Sequence, residues 1–264
     1  MESRWPPLGE LREVCQPPAI RNRRSSEHWV ARAFGRRLSI HVTRVCIWLG
    51  LSAHAVTVIM ILLGWAAAAA LLLPGLWGPA VACALALAQI IVDSVDGEVA
   101  RWRGTSGPVG EFLDRIAHAS TEAAFPIALG VSITLSWGND DWRPAALGGA
   151  VAALVLINKS LNDFVRIARG ADALDRDKLS DTVVMPRPAP LRLARRVATF
   201  VPLHRMYHSV EQSFVIFAAA IAGAIGAFDG PFVALIVLAV PLPFVVVGHA
   251  AAILSSNRLH GGDR

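Results

Sequence analysis

Six long apolar stretches constrain this chain more than any other feature. They run over roughly 54–74, 76–96, 113–136, 144–165, 208–228 and 230–253. Each comes close to the ~20 residues that a helix needs to cross a bilayer. They are long and do not alternate apolar with polar residues, which argues against a β-barrel. The chain is 54% hydrophobic and 17% charged, against about 25% charged for an ordinary soluble domain. Mean hydropathy is +0.49. The fold expected is all-α: a polytopic membrane protein with six transmembrane helices.

Charge placement sets the expected orientation. Residues 1–53 hold nine Lys and Arg, the loop 98–115 three, residues 159–208 ten and the C-terminal tail two, leaving only Arg143 for the other loops. The basic side faces the cytoplasm, so both termini are expected inside. The net charge of +5 is better explained by contact with membrane lipids than with nucleic acid, and no nucleic-acid partner is expected. The Ala-, Arg- and Val-rich composition suggests a bacterial source, and therefore a bacterial cytoplasmic membrane.

Residues 1–25 are rich in Pro and Arg, with no apolar core close enough behind them for a cleaved signal peptide. From Trp29 to Val45 the pattern changes. Val30, Phe34, Leu38, His41, Val42 and Val45 fall near one helical face, with Arg32, Arg36, Arg37 and Arg44 supplying charge. This predicts an amphipathic interfacial helix. The expected organisation is an N-terminal cytoplasmic and interfacial segment at 1–45, a six-helix transmembrane catalytic domain at 46–254 and a cytoplasmic tail at 255–264. The turn LLLPGLWGP makes the first two spans an antiparallel hairpin. The inner segment 166–207 is expected to skirt the headgroups. Cys15, Cys46 and Cys83 show neither metal-ligand nor redox spacing.

The polar residues that interrupt this pattern gather between Asp93 and His118. Three aspartates, two glutamates, three arginines and a histidine lie there, and charge at the end of a span is usually functional. Asp93 and Asp96 are three apart and Asp114 and His118 four apart, so each pair shares one helical face. A salt-bridge network with Arg101, Arg103 and Arg115 would neutralise the carboxylates. So would a hard cation such as Mg²⁺ or Mn²⁺ held by oxygen ligands from two facing helix ends. Two such ions ~4 Å apart can hold the bridging and leaving oxygens of a phosphoryl group.

The spacing in this cluster resembles the signature of the CDP-alcohol phosphotransferase (CDP-alcohol phosphatidyltransferase) family. That signature is D-x-x-D-G-x-x-A-R, eight residues, then G-x-x-x-D-x-x-x-D. Asp93, Asp96, Gly97, Ala100 and Arg101 fill the first half. Gly110 and Asp114 follow after eight intervening residues, so seven of eight specified positions match. More weakly, SAHAVT resembles a P-N-x-x-T approach to the first span. Thr57 stands at the threonine, and Ala53 and His54 stand where proline and asparagine are common.

The resemblance implies a reaction, a set of roles and a homodimer. A hydroxyl of an acceptor alcohol, phosphorylated or lipid-linked in some members, attacks the β-phosphorus of a CDP-alcohol. CMP leaves and a phosphodiester remains, a phospholipid or related product. Asp93, Asp96 and Asp114, with His118, would hold Mg²⁺ or Mn²⁺, two ions in the family pattern. Gly97, Ala100, Gly110 and Thr57 would shape the nucleotide pocket, and Arg101 would pair with a motif carboxylate or the diphosphate.

His118 departs from the family, which has a fourth aspartate there as the proposed base for the acceptor hydroxyl. Among the catalytic residues His118, Asp114 and Arg101, His118 is expected to activate the acceptor hydroxyl as base; two other roles are open to it, ligand of a transition metal such as Mn²⁺ or Zn²⁺ or sign of lost activity. Glu122 is placed to orient His118 or replace the missing carboxylate, and Glu111 is a second reserve. Acceptor recognition is assigned to two polar groups. Asn158, Lys159, Asn162, Asp163 and Arg166 form one; His204, Arg205, His208, Glu211 and Gln212 form the other. The rival to an enzyme is a non-catalytic membrane-assembly or carrier protein on the same fold. A transporter is weaker, because the carboxylates lie at span ends.

The charge division yields a topology test. A cysteine introduced at Asn139 is expected to react with a membrane-impermeant label from the outer face, and one at Arg187 is not. The reverse pattern would overturn the six-span arrangement.

Overall fold

The computed structural model describes residues 5–18, 35–138, 140–169, 203–226 and 228–256. Residues 29–34 of the interfacial helix, residues 170–202 of the inner segment and residues 257–264 of the expected tail lie outside the described residues. Every described element is helical. The helices are α1 (Leu8–Cys15), α2 (Arg36–Trp48), α3 (Ala53–Ala70), α4 (Trp77–Arg103), α5 (Pro108–Ser136), α6 (Arg143–Arg169), α7 (Ser209–Ile225), α8 (Gly230–Ala239) and α9 (Leu242–Ser255), with a 3₁₀ turn at Leu203–Tyr207.

Among the described residues, five segments are long and apolar enough to cross a membrane: Ala53–Ala70, Trp77–Arg103, Pro108–Ser136, Arg143–Ala168 and Gly230–Ser255. The other expected span appears as α7, a shorter apolar helix. The expected span at 230–253 is interrupted where α8 gives way to α9. Pro241 and Pro243 lack the N–H that would continue the helical ladder, and bonding resumes with Val245 N–H donating to the Pro241 carbonyl.

The chain divides into two compact units, residues 1–124 and 125–264, with the boundary inside α5. In the first unit α4 packs along α3 and also against α2 and α1. Gly75, in a left-handed conformation (φ 62°), turns the chain between α3 and α4, and Ser52 caps the start of α3 by accepting from Ala55 N–H. Close helix approach depends on Gly64, where a Cβ would collide with the Thr121 side chain and with Gln89. Gln89 itself donates to Thr121 across 3.1 Å. Small interfacial residues and a hydrogen bond between helices are the usual means of association without water.

The N-terminal elements are fastened to α4 by one buried carboxylate. Glu98 is 2% exposed. Its Oε1 accepts from Gln16 Nε2 and Ser39 Oγ, each at 2.7 Å, and its Oε2 from Thr43 Oγ1 at 2.6 Å. Around it, Leu11, Cys15, Ile40 and Ile47 form an apolar cluster with Leu8 and Trp102 packed on it. Burial pushes the Cys15 thiol up to about 11, with the Glu98 charge adding to the effect, so it is protonated at neutral pH and inert.

Helix α2 turns Ser39, Ile40, Thr43, Cys46 and Ile47 inward. Leu38, Val42, Val45 and Trp48 remain exposed, as expected for a helix lying in a membrane interface. Trp5 packs edge-on to Trp48 at 6.4 Å, and the Arg44 guanidinium sits 4.3 Å from the centre of the Trp5 ring.

In the second unit α6 contacts α8 and α9, and α7 contacts α8. Gly148 lets α6 approach the Pro126 carbonyl, which a Cβ there would strike. Trp137 Nε1 donates to Asp229 at 2.8 Å, and Asp229 also caps α8 by accepting from Phe232 N–H.

Truncating Glu98 strands three donors around a buried void. Glu98→Ala is expected to lower stability by about 3 kcal/mol. Glu98→Gln should lose less, since its amide oxygen still accepts. Denaturation in detergent micelles measures both, and an unaltered Glu98→Ala would show that the network does not anchor the N-terminal helices.

Candidate functional site

The site lies in the first unit, where the last turns of α4 face the first turns of α5. Helix α4 stops because Gly104 adopts a left-handed conformation (φ 64°). Thr105 N–H then reaches back to the Ala100 carbonyl at 2.9 Å, and Gly104 N–H to that of Arg101. This pairing satisfies carbonyls that the helix end would otherwise leave open. The exposed residues Gly104–Gly107 lead straight into α5 at Pro108, a residue suited to a first helical turn.

The hairpin brings Asp93 on α4 to His118 on α5. Asp93 Oδ1 lies 3.1 Å from His118 Nε2, and Asp114 Oδ1 lies 3.4 Å from the same nitrogen. The other ring nitrogen, Nδ1, faces Glu122 Oε1 at 4.0 Å. Asp93 and His118 are about a quarter exposed, Asp114 rather more, and Glu122 is buried with 3% of its side chain exposed. One ligand atom each from Asp93, Asp114 and His118 lies within 4.8 Å of the other two. Two carboxylate oxygens and one imidazole nitrogen converging at this spacing form a donor set that fits a divalent cation.

Asp96 is not part of this three-atom cluster. Its Oδ2 accepts from Thr57 Oγ1 at 2.9 Å, and its Oδ1 accepts from the Gly97 backbone N–H. Thr57, singled out in the sequence for its place at the entry to the first span, is therefore tied directly to a motif aspartate.

The remaining motif residues divide by what they touch. Arg101 Nε donates to the Cys15 carbonyl at 2.7 Å, at the C-terminal end of α1. Its guanidinium folds back over Gly97, where a Cβ would sit 3.2 Å from Nη1. Ala100 packs against the apolar cluster of Cys46, Ala53, Val56, Val95 and Val99, a helix-packing role. Gly110 faces open space. Glu111, the second reserve carboxylate, pairs with Arg115 at 2.9 Å on an exposed face, where such a pair contributes little.

The polar groups assigned to the acceptor belong to the second unit. Asn158 Oδ1 lies 2.9 Å from His249 Nδ1, a partner not anticipated from sequence. Gln212 is fully buried and donates to the Tyr207 carbonyl at 2.8 Å, which ties α7 to the preceding turn. The Tyr207 hydroxyl donates to the Leu238 carbonyl, and burial pushes its pKa up to about 12.

Glu98 was the residue that sequence reasoning passed over. The signal was present: a carboxylate two positions after Asp96 points to the opposite side of a helix, and in an apolar span it needs donors of its own.

Residues 51–172 match the family model described as CDP-alcohol phosphatidyltransferase. The match takes in Thr57, the whole Asp93–His118 motif and Glu122. None of the curated proteins matches the chain. A domain of that description is thus detected over residues 51–172. Members transfer a phosphatidyl group from a CDP-alcohol and use a divalent metal. With the apolar helices, this makes it an integral membrane protein.

The Thr57–Asp96 bond gives a local test. In a double-mutant cycle with Asp96→Asn, Thr57→Val is expected to show a coupling energy of about 1–2 kcal/mol in denaturation. A coupling near zero would mean that Thr57 does not hold the aspartate.

Proposed function

We propose that this CDP-alcohol phosphatidyltransferase domain catalyses transfer from a CDP-alcohol to an acceptor alcohol, with release of CMP. The observation that carries the reading is the convergence of Asp93, Asp114 and His118 inside the matched domain. The product is a phosphodiester, a phospholipid or a related lipid-linked compound. The enzyme works as a homodimer in a bacterial cytoplasmic membrane, with its site and both termini inside. The support for that orientation is the skewed distribution of Lys and Arg.

Mg²⁺ or Mn²⁺, when bound, offsets negative charge on the donor diphosphate and on the oxygen that leaves with CMP. Of the three roles open to His118, that of ligand is best supported, since Nε2 is turned toward the oxygens of Asp93 and Asp114. Asp93, Asp114 and His118 would hold the ion, while Asp96, oriented by Thr57, would be a ligand for a second. Arg101, anchored at Cys15, supplies guanidinium nitrogens to the diphosphate. The acceptor oxygen forms a bond to the β-phosphorus, and the bond from that phosphorus to the bridging oxygen breaks. CMP departs with the electron pair. The hydroxyl proton passes to the carboxylate of Asp114, the most exposed of the cluster.

Purified protein is to be incubated with Mg²⁺ or Mn²⁺, a series of CDP-alcohols and a lipid extract as acceptor source. CMP release that requires acceptor is expected. Asp93→Ala, Asp96→Ala and Asp114→Ala should each abolish it while the protein stays folded in detergent, and excess chelator should do the same. Full turnover in chelator would remove the metal mechanism. No CMP release with any donor would favour a non-catalytic membrane protein on this fold.

A further inference from the structure

His118 offers its two ring nitrogens to different surroundings. Nε2 faces Asp93 and Asp114 at 3.1 and 3.4 Å. Nδ1 faces Glu122, one helical turn further along α5, at 4.0 Å. A neutral imidazole has one lone pair and one N–H. If Nε2 gives its lone pair to an ion shared with the two aspartates, the proton must sit on Nδ1, and Glu122 is the acceptor facing it. Metal-bound histidines commonly donate their second N–H to a carboxylate in this way, which fixes the tautomer and raises ligand basicity. A separation of 4.0 Å is longer than a made hydrogen bond.

The charge distribution supports the pairing. Imidazole at position 118 removes one negative charge from the ligand set. Glu122 sits just behind it, 3% exposed, and offers an acceptor to Nδ1 without touching the ion. We propose that Glu122 is a positioning residue that holds His118 with its proton on Nδ1. The site so formed, two carboxylates and a backed imidazole, selects a transition-series divalent cation such as Mn²⁺ over Mg²⁺. Nitrogen ligands favour the former, whereas Mg²⁺ prefers oxygen and retains its water. This inference rests on the reading of Asp93, Asp114 and His118 as a metal site.

The test uses the full-length protein in detergent without substrate. Mn²⁺ binding is read from loss of the free-ion electron paramagnetic resonance signal, and Mg²⁺ binding from competition. The wild type is expected to bind Mn²⁺ about tenfold or more tightly than Mg²⁺. Glu122→Leu should weaken Mn²⁺ binding by about 10–100-fold. Glu122→Gln, whose amide oxygen still accepts from Nδ1–H, should recover most of that loss. His118→Asp should bring the two affinities together. An unchanged Mn²⁺ affinity in Glu122→Leu, or an unchanged preference in His118→Asp, would overturn the proposal. Should Glu122→Leu fail to fold, Glu122→Gln and His118→Asp decide the matter: a loss in Glu122→Gln as deep as that of Asp93→Ala counts against tautomer control. Wild-type Mn²⁺ binding by Asp93→Ala would instead show that the metal reading itself is wrong.

Discussion

A polar group surrounded by hydrocarbon must find its partner within the protein, and this requirement governs how the first unit is put together. Glu98 takes three neutral donors from two other helical segments. Gln89 meets Thr121 beside Gly64, and Trp65 donates to Ser120. Each pairing fixes one helix against another, because breaking it would leave an unsatisfied group where no water can replace the partner. The same rule makes the functional site conspicuous. Asp93, Asp114 and Glu122 converge on a single imidazole, and one atom each from Asp93, Asp114 and His118 could hold a metal ion.

The framework and the site thus use the same residue type for opposite ends. On α4, Asp96 and Glu98 are two residues apart and point to different sides. Asp96 faces Thr57 on α3 and the site beyond; Glu98 faces α1 and α2. Arg101, one turn further, reaches the end of α1 through the Cys15 carbonyl. The last three turns of one helix therefore carry the site on one side and the attachment of the N-terminal elements on the other, so a disturbance of either is felt by both.

Much of this was legible in the sequence, for identifiable reasons. Apolar runs of helical length announce spans, and the spacing of Asp93, Asp96, Asp114 and His118 places them on two helical faces. Thr57 stands out by its position at the entry to the first span, and the structure supplies its partner. What could not be read is tertiary. Glu98 sits at an unspecified position of the motif, and its donors are 55 to 82 residues away. The division at Pro241 and Pro243 was visible in composition but was hidden by the strong hydropathy around it. Ala100 was suggestive as a pocket residue, yet its neighbours are those of a packing position. The Nε of Arg101 meets the Cys15 backbone carbonyl, a partner that no local pattern advertises.

The left-handed turn at Gly104 has a consequence for which changes of length the motif can absorb. Asp93 and Asp114 sit on consecutive arms of a hairpin, and each helical residue advances the side-chain direction by ~100°. One residue added between Pro108 and Asp114 would swing Asp114 and His118 together through that angle and carry them off Asp93, although every residue type survived. One residue added among the exposed positions 104–107 alters the loop but leaves the arms' angular phase for the chain to readjust. The fixed count of residues in the motif is thus a record of rotational phase between two rods, and the short turn is its clutch.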